Sequence, residues 1–489
     1  MKSIADVAYP PGRLPFDLEY KLLYQNSIAS FDLTRLPSVG PFYLSILRNL
    51  STNSTTMKLI DNLPDSHIRL FSIATERLQA TRRERTDELF SLATGLRYQA
   101  SHYFGILTLF NLDRAKAIDP NYTGKKWRGL AGDVETAAIY FTKGGLSIIL
   151  GRQRMFWGPQ PVNLIVSKTA EPLDLISASY NKGRLRFSFL FARLDESRPD
   201  SSDYARLQDQ TFNDNRYLVG HRLDILLRKN LRLGFFETSI FGGEGRPPEL
   251  YYLNPLQFFH AAQLNGNEDD NTILGFDFFW LPLRGYGMYG QLIIDDFQID
   301  HQSRGDKEPN EIGLMCGLLK SGRPHSFSPD IKLEYVRIAN RTYHQSQPRN
   351  RYLFRNKLLG HPLGPDADSL SLLLRFWPSV KQYTELELSF TRHGEGSIYA
   401  PWDEPWLDVE GDYKEPFPTG VVEKSINLAV RIIGYLPLTR YTWEHLFVTI
   451  DGGYSSIKNR FNIDRNNGHT ARINLSLTWL GYLEIGIME

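Results

Sequence analysis

The densest chemistry in this chain lies in Tyr399, Trp402, Asp403, Glu404, Trp406 and Asp408, interleaved with Pro401 and Pro405. Aromatic rings beside carboxylates suit sugars, which offer C–H faces to stack on and hydroxyls to hydrogen-bond. The plainer reading of the same residues is a loop anchored by buried tryptophans. Tyr399, Trp402, Asp403, Glu404 and Trp406 are therefore the candidate ligand contacts. Paired carboxylates recur at Glu385/Glu387, Asp295/Asp296 and Asp403/Glu404. Glycosidases need two carboxylates at a defined separation, but such pairs are common in any sequence. Glu385 and Glu387 sit on the polar side of an alternating run, where a wall-lining ion-pair role fits better than catalysis.

Other signals for catalysis or cofactors are weak. Gly285-Tyr286-Gly287-Met288-Tyr289-Gly290 has the G-x-G-x-x-G spacing of a dinucleotide loop. That loop must open a helix, whereas Gln291-Leu292-Ile293-Ile294 is strand-like, so the glycines read as a turn and small strand positions. His301, His325, His344, His361 and His393 fall mainly in loops without metal-type spacing. Cys316 is the only cysteine, which excludes an internal disulfide and a thiolate metal cluster. No cofactor and no metal are expected, and no arrangement supports an enzyme.

The elements that must position these residues are strands. From about residue 90 the apolar period is two and stays there. Leu185, Phe187, Phe189 and Phe191 share one face opposite Arg186, Ser188, Leu190 and Ala192. Ile426, Leu428, Val430 and Ile432 oppose Arg431; Ile473, Leu475 and Leu477 oppose Arg472. Candidate strands are 92–100, 102–111, 134–142, 145–152, 175–181, 184–194, 217–228, 231–241, 272–281, 286–296, 311–319, 330–340, 369–377, 382–392, 423–433, 443–453, 470–479 and 481–488. Many match the ~9–11 residues of a tilted membrane strand, with aromatics near their ends. Tight links such as Lys143-Gly144, Lys182-Gly183, Lys229-Asn230 and Leu480-Gly481 alternate with long polar links over 112–133, 195–215, 242–271, 341–368 and 393–422. Short turns on one rim and long loops on the other is how outer-membrane barrels are built. A soluble multi-sandwich or propeller is the competing architecture.

Residues 1–90 read differently. Ser38-Val39-Gly40-Pro41 looks like a helix start. Asp65 or Ser66 would cap a second helix carrying Ile68, Phe71, Ala74 and Leu78, with Arg82 to Glu88 as its solvated end. The expected fold is an all-β antiparallel transmembrane barrel of about 18 strands over residues 91–489, plugged or capped by helical residues 1–90. Arg186, Glu385, Glu387, Arg431 and Arg472 are then the lumen-lining candidates.

Composition is consistent with this. With 56 basic and 55 acidic residues the formal charge is +1, and nothing suggests nucleic acid. Aromatics make up 13%. Mean hydropathy is −0.34, and no run reaches the ~18 apolar residues of a membrane helix, but half-apolar barrel strands hide from such scans. The opening residues have no signal-peptide core before Pro10-Pro11, as expected of a cytoplasmic chain or of the mature part of an exported precursor.

Three segments in order resemble the capsule assembly proteins of the Wzi type. They are Gly151-Arg152 through Trp157-Gly158-Pro159 with Asn163-Leu164-Ile165-Val166-Ser167, then Glu249-Leu250-Tyr251-Tyr252-Leu253-Asn254-Pro255-Leu256, then Gly360-His361-Pro362-Leu363-Gly364-Pro365-Asp366-Ala367-Asp368. The resemblance covers most of the chain from about residue 30. It implies an outer-membrane barrel of 18 strands occluded by helices, with a non-catalytic, lectin-like role in holding exported capsular polysaccharide. The chain ends Ile487-Met488-Glu489 rather than in the terminal aromatic residue common to such barrels. Expected partners are surface polysaccharide, outer-membrane lipid and lipopolysaccharide, with the barrel a monomer. A transport channel and a surface glycan hydrolase are the alternative functions.

Overall fold

The computed structural model describes residues 67–486, apart from 82–83, 102, 120–121, 123, 197–213, 267–269, 298–306, 323–327, 380–381, 411–412 and 438–443. Its sheet holds 19 strands; one is the two-residue spur Lys126–Trp127, and the other 18 form a closed antiparallel wall. In chain order these are β1 His67–Thr81, β2 Glu84–Gln99, β3 Phe104–Asp113, β4 Leu130–Lys143, β5 Leu146–Gln153 and β6 Leu173–Lys182. There follow β7 Leu185–Arg193, β8 Asp214–Arg228, β9 Leu231–Glu244, β10 Asn271–Leu283, β11 Tyr286–Asp296 and β12 Glu311–Lys320. The last six are β13 Asp330–Ile338, β14 Ala367–Ser379, β15 Gln382–His393, β16 Glu423–Pro437, β17 Glu444–Lys458 and β18 Gly468–Gly486. Each strand pairs with its neighbours in sequence, and β1 closes the wall on β18 from His67↔Gly486 to Thr81↔Arg472. Short helices interrupt the long connections: α1 Arg114–Ile118, α2 Leu250–Leu253 and α3 Phe259–Gly266.

Alternation sorts every strand into two faces. On β7, Arg186, Ser188, Leu190 and Ala192 are buried and point inward. The opposite row is apolar and uncovered on much of the wall: Ile426 is 53% exposed, Leu475 39% and Leu370 47%. A ring of bare aliphatic side chains around a closed barrel is a surface made for lipid. The greasy face of the alternating strands therefore meets the membrane rather than a protein core. Turns after even-numbered strands are mostly tight, as at Gly144-Gly145, Gly183-Arg184, Lys229-Asn230 and Arg284-Gly285, where positive φ falls on Gly145, Gly183 and Gly285. Those after most odd-numbered strands are long: 114–129, 154–172, 194–213, 245–270, 297–310, 339–366 and 394–422. Short turns on one rim and long connections on the other is the arrangement of outer-membrane barrels.

Half of the lumen has a protein core. Residues 154–172 turn inward after β5. Trp157, Leu164, Ile165 and Val166 are all buried, with a bridge between Trp157 and Val166. Gln291 on β11 holds this hairpin from both ends, its Oε1 accepting from Leu164 N (2.6 Å) and its Nε2 donating to the Trp157 carbonyl (3.3 Å). Gly220 on β8 leaves room for the Trp157 ring: a Cβ there would come within 2.8 Å of it. Residues 339–366 pack on top. Tyr343 Oη donates to the Leu164 carbonyl at 2.6 Å, Arg216 on β8 donates to the Arg349 and Arg351 carbonyls at 2.5 and 2.7 Å, and Tyr352 Oη bonds Thr238 on β9 at 3.1 Å.

Two expectations need correction. The helix placed across Ile68, Phe71, Ala74 and Leu78 is strand β1, and Glu84 to Glu88 begin β2 rather than ending a helix. The i, i+3 spacing there is outweighed by two full hydrogen-bond ladders, one to β2 and one to β18. The two final candidate strands are one strand, β18, unbroken through Leu480-Gly481. One missed strand and one merged pair leave the count at 18. The helix start at Ser38 to Pro41 lies outside the described residues. Gly285 is a turn and Gly287 and Gly290 are strand positions, as the reading of that glycine run required.

Candidate functional site

The aromatic loop 394–422 is held by side chains from the neighbouring loop, among them Asp366, which accepts from Gly396 N (2.9 Å) and Thr419 N (3.0 Å), and Arg341. Arg341, 4% exposed, donates to Glu415 Oε1 (2.7 Å) and to the Asp403 carbonyl (3.1 Å), pairs with the Asp403 carboxylate (3.2 Å), and lies 4.7 Å over the Trp406 ring. Trp406 is buried against Arg341 and Tyr413, so it is an anchor. Trp402 is half-buried, edge-on to Trp406 at 6.4 Å and 5.4 Å from the His344 ring, with Nε1 donating to Glu404 Oε1 at 3.2 Å. Burial, with the Arg351 guanidinium beside it, pushes His344 down to about 4, so the ring is neutral at physiological pH and Nε2 can donate to the Ala400 carbonyl at 2.8 Å. Tyr399, Asp403 and Glu404 are exposed. The loop thus combines both readings of its sequence: Trp406 is structural, while Tyr399 and Trp402 keep faces open to solvent.

The candidates in the barrel wall form a separate group. Arg186 points inward and is buried, with Nη2 at 3.5 Å from Ser179 Oγ. Glu385 accepts from Arg375 Nε at 2.8 Å and pairs with Arg431 Nη1 at 3.6 Å. Glu387, Arg431 and Arg472 occupy inward positions on β15, β16 and β18 and are exposed, while the next inward residues of β18, Asn474, Ser476 and Thr478, are buried. None of this group meets the aromatic loop.

Sequence reasoning missed a third feature, a cleft of about 630 Å³ on the long-loop rim. It lies between the α1 connection, the start of β4, Glu171 of the infolded hairpin, and Arg355 and Lys357. Asp113 caps α1, accepting from Lys116 N at 3.1 Å, and so points Lys116 into the cleft. There Lys116 pairs with Asp133 and with Glu171 (3.4 Å), and Lys357 pairs with Glu171 (2.6 Å) and Asp119 (3.5 Å). Burial alone would lower the Lys116 pKa, but its carboxylate partners outweigh that and hold it above the usual lysine value. Burial would raise Glu171, yet Lys357 and Lys116 hold it below the usual carboxylate range. The walls carry Tyr122 and Trp127, the latter 63% exposed. This is again aromatic surface beside fixed charges. Its parts are far apart in sequence, and Tyr122 and Trp127 in a long polar link were the one available sign.

The cleft and the aromatic loop meet through residues 355–357. Arg355 and Lys357 line the cleft, and between them the Asn356 carbonyl accepts a 2.9 Å bond from Tyr399 Oη. No cluster of three or more His, Cys, Asp or Glu that could hold a metal ion occurs among the described residues.

The fold is similar to that of Escherichia coli Wzi, an outer-membrane protein involved in group 1 capsule assembly and a carbohydrate-binding β-barrel. Identity is 12%, over 97% of this chain and 98% of that one, with a TM-score of 0.56. Pseudomonas aeruginosa OpdK, solved with vanillate, aligns at 10% identity over 86% of this chain and 100% of its own (TM-score 0.49), and OccD3 (OpdP) of the same organism at 11%, 86% and 92% (TM-score 0.48). No curated protein matches the sequence. The profile for capsule assembly protein Wzi, however, matches residues 89–471, most of the chain, and the chain therefore belongs to the Wzi family of capsule assembly proteins.

Proposed function

We propose that this barrel holds exported polysaccharide at the cell surface, along a path on its outer rim that runs from the Tyr122/Trp127 cleft past Asn356 to Tyr399 and Trp402. The observation that carries this reading is the Tyr399–Asn356 bond, which joins two aromatic and charged surfaces into one continuous strip. A strip rather than a pocket suits a polymer, because successive residues of the glycan each find a ring face or a charged group. Membership of the family supports the same role, as does the carbohydrate binding of the E. coli protein. In this reading the role is binding rather than catalysis: Asp133 and Glu171 are tied to lysines and Asp403 to Arg341 rather than poised as an acid and base.

The apolar outer wall sits among outer-membrane lipid and lipopolysaccharide, and the barrel acts as a monomer. On part of the wall the inward Glu387, Arg431 and Arg472 are exposed. A conducting channel is the second reading, favoured by those exposed inward charges.

The test is retention of bacterial polysaccharide on cells carrying Trp127→Ala with Trp402→Ala. Both side chains are exposed or half-exposed, so the variant should keep its heat-modifiable mobility. Retention should fall by roughly tenfold or more if two stacking contacts are lost. Unchanged retention in a folded variant would remove the strip. Planar-bilayer recording separates the channel reading: steady conductance of the full chain favours it.

A further inference from the structure

On the side of the barrel formed by β7–β10, residues 245–266 fold outward and down over the wall. Tyr252 and Phe259 are fully buried on the outward residues Tyr217, Val219 and Phe241, with Phe241 and Tyr252 stacked at 4.0 Å. Glu237, also outward and 1% exposed, fixes the start of α3: its carboxylate accepts from Phe259 N (2.9 Å) and His260 N (2.7 Å) and lies 3.2 Å from His221 Nε2. A carboxylate on a lipid-facing wall is costly unless fully bonded, and here that need locks the flap in place. Leu250 and Leu256 on the flap remain 84% and 81% exposed.

Under the flap's edge is an apolar groove of about 420 Å³. Phe187, Leu223, Phe235, Phe276 and Leu292 form one row of it, and Phe258 overhangs from the flap. The strand registers Phe187↔Leu223, Phe235↔Leu223, Phe235↔Phe276 and Phe276↔Leu292 put these wall residues at one level. His221 sits one step nearer the long-loop rim, level with Glu237 and Leu274. Its Nδ1 is buried and has no hydrogen-bond partner. Further toward that rim Arg193 is outward and exposed, six residues along β7 from Phe187, or about 20 Å at the usual strand rise.

We infer that this groove seats one hydroxylated acyl chain of a lipopolysaccharide molecule in the outer leaflet. The occupant follows from position and chemistry. The groove opens on the lipid-facing wall and hangs from the outer rim, so its neighbour is the outer-leaflet lipid. If a methylene takes about a water's share of volume, ~30 Å³, the groove holds on the order of a dozen. The chain's hydroxyl, near its head end, meets the unsatisfied His221 nitrogen at the headward end of the groove. Arg193 stands at the level of the anionic headgroup. The inference deepens the lipid contact proposed above and is independent of the glycan strip.

The experiment is native mass spectrometry of the full chain, extracted in mild detergent from outer membranes. The unaltered protein should carry one lipopolysaccharide. Leu274→Trp, which fills the groove from the lipid side, should lower that occupancy by roughly tenfold. Leu428→Trp, an equally lipid-facing change on the far wall, should leave it intact. Should L274W lose its heat-modifiable fold, Phe276→Ala removes a groove wall without adding bulk and should also lower occupancy. A lipid-free chain, a phospholipid in its place, or occupancy equal in the groove variants and the control would overturn the assignment. Recovery of the chain in the outer membrane tests lipid contact separately, so the two failures are distinguishable.

Discussion

The two sides of this barrel use the same strand pattern for different ends. From β5 to β13 the inward row meets the infolded hairpin and residues 339–366, and the interior is dry. There Arg222 bonds Asp224 (2.6 Å) and Asp277 (2.6 and 2.9 Å), and all three are at most 1% exposed. From β14 round to β1 the inward row mixes short polar side chains with charged ones, of which Glu387, Arg431 and Arg472 are exposed; Ser369–Thr391, Asn427–Ser389 and Thr75–Thr478 contacts lie at 3.0, 3.3 and 3.1 Å. The Arg431–Glu385 pair at 3.6 Å sits on this wetter side, with Arg431 half-exposed. An arginine facing a carboxylate is common to both sides. What differs is the water around it, and that sets whether the pair holds the fold or merely decorates it.

The largest way to break this comparison is Arg222→Met. It leaves Asp224 and Asp277 in a dry interior with Arg232 no nearer than 3.8 and 4.0 Å and should cost about 3–5 kcal/mol, read as loss of the fast-migrating form on a heat-modifiability gel at lower temperature. Trp157→Ala should come next, at about 3 kcal/mol or somewhat more from lost burial and an unfilled cavity beside Gly220. Equal damage from Thr391→Ala, part-buried on the wetter side, would contradict the division. A middle-sized effect concerns pH. His344 is neutral in the fold with its pKa depressed to about 4, while an unfolded histidine titrates near 6.5. The unfolded chain therefore binds the extra proton first, so the stability this ring lends is intact above about pH 6.5 and is lost as pH falls toward 4. Tryptophan fluorescence should report loosening of loop 394–422 across that window, and His344→Gln should flatten the response. Smallest is Arg431→Met, worth no more than about 1 kcal/mol. A cost matching that of Arg222→Met would show that the wet side is not wet.

The barrel was legible because alternation survives in single strands: Ile426 to Ile432 and Phe187 to Phe191 sort into faces without any knowledge of neighbours. Strand β1 was not, since Ile68, Phe71, Ala74 and Leu78 also fit a helix and only two partner ladders decide the matter. The infolded hairpin was illegible for a related reason. Met155, Phe156 and Trp157 lack a period, and their destination depends on a space left by Gly220, 63 positions on by the numbering. At the rim, the residue types of loop 394–422 were informative but their burial was not: Arg341 sinks Trp406 and leaves Trp402 at the surface. The cleft draws Lys116, Glu171 and Lys357 from three connections, which no local pattern unites.

The seam between β1 and β18 also bears on assembly. His67 pairs with Gly486 and Thr81 with Arg472, so the first and last strands of the wall are neighbours. Every other ladder joins strands adjacent in the chain and can zip as a hairpin, but this one requires both ends at once. Loop-closure entropy grows only slowly with length, so the seam is thermodynamically affordable. Kinetically it imposes an order, because long-range pairing is slow. The barrel cannot close during synthesis; the whole chain must first be delivered, and until the seam forms both edge strands stay open to the wrong partner.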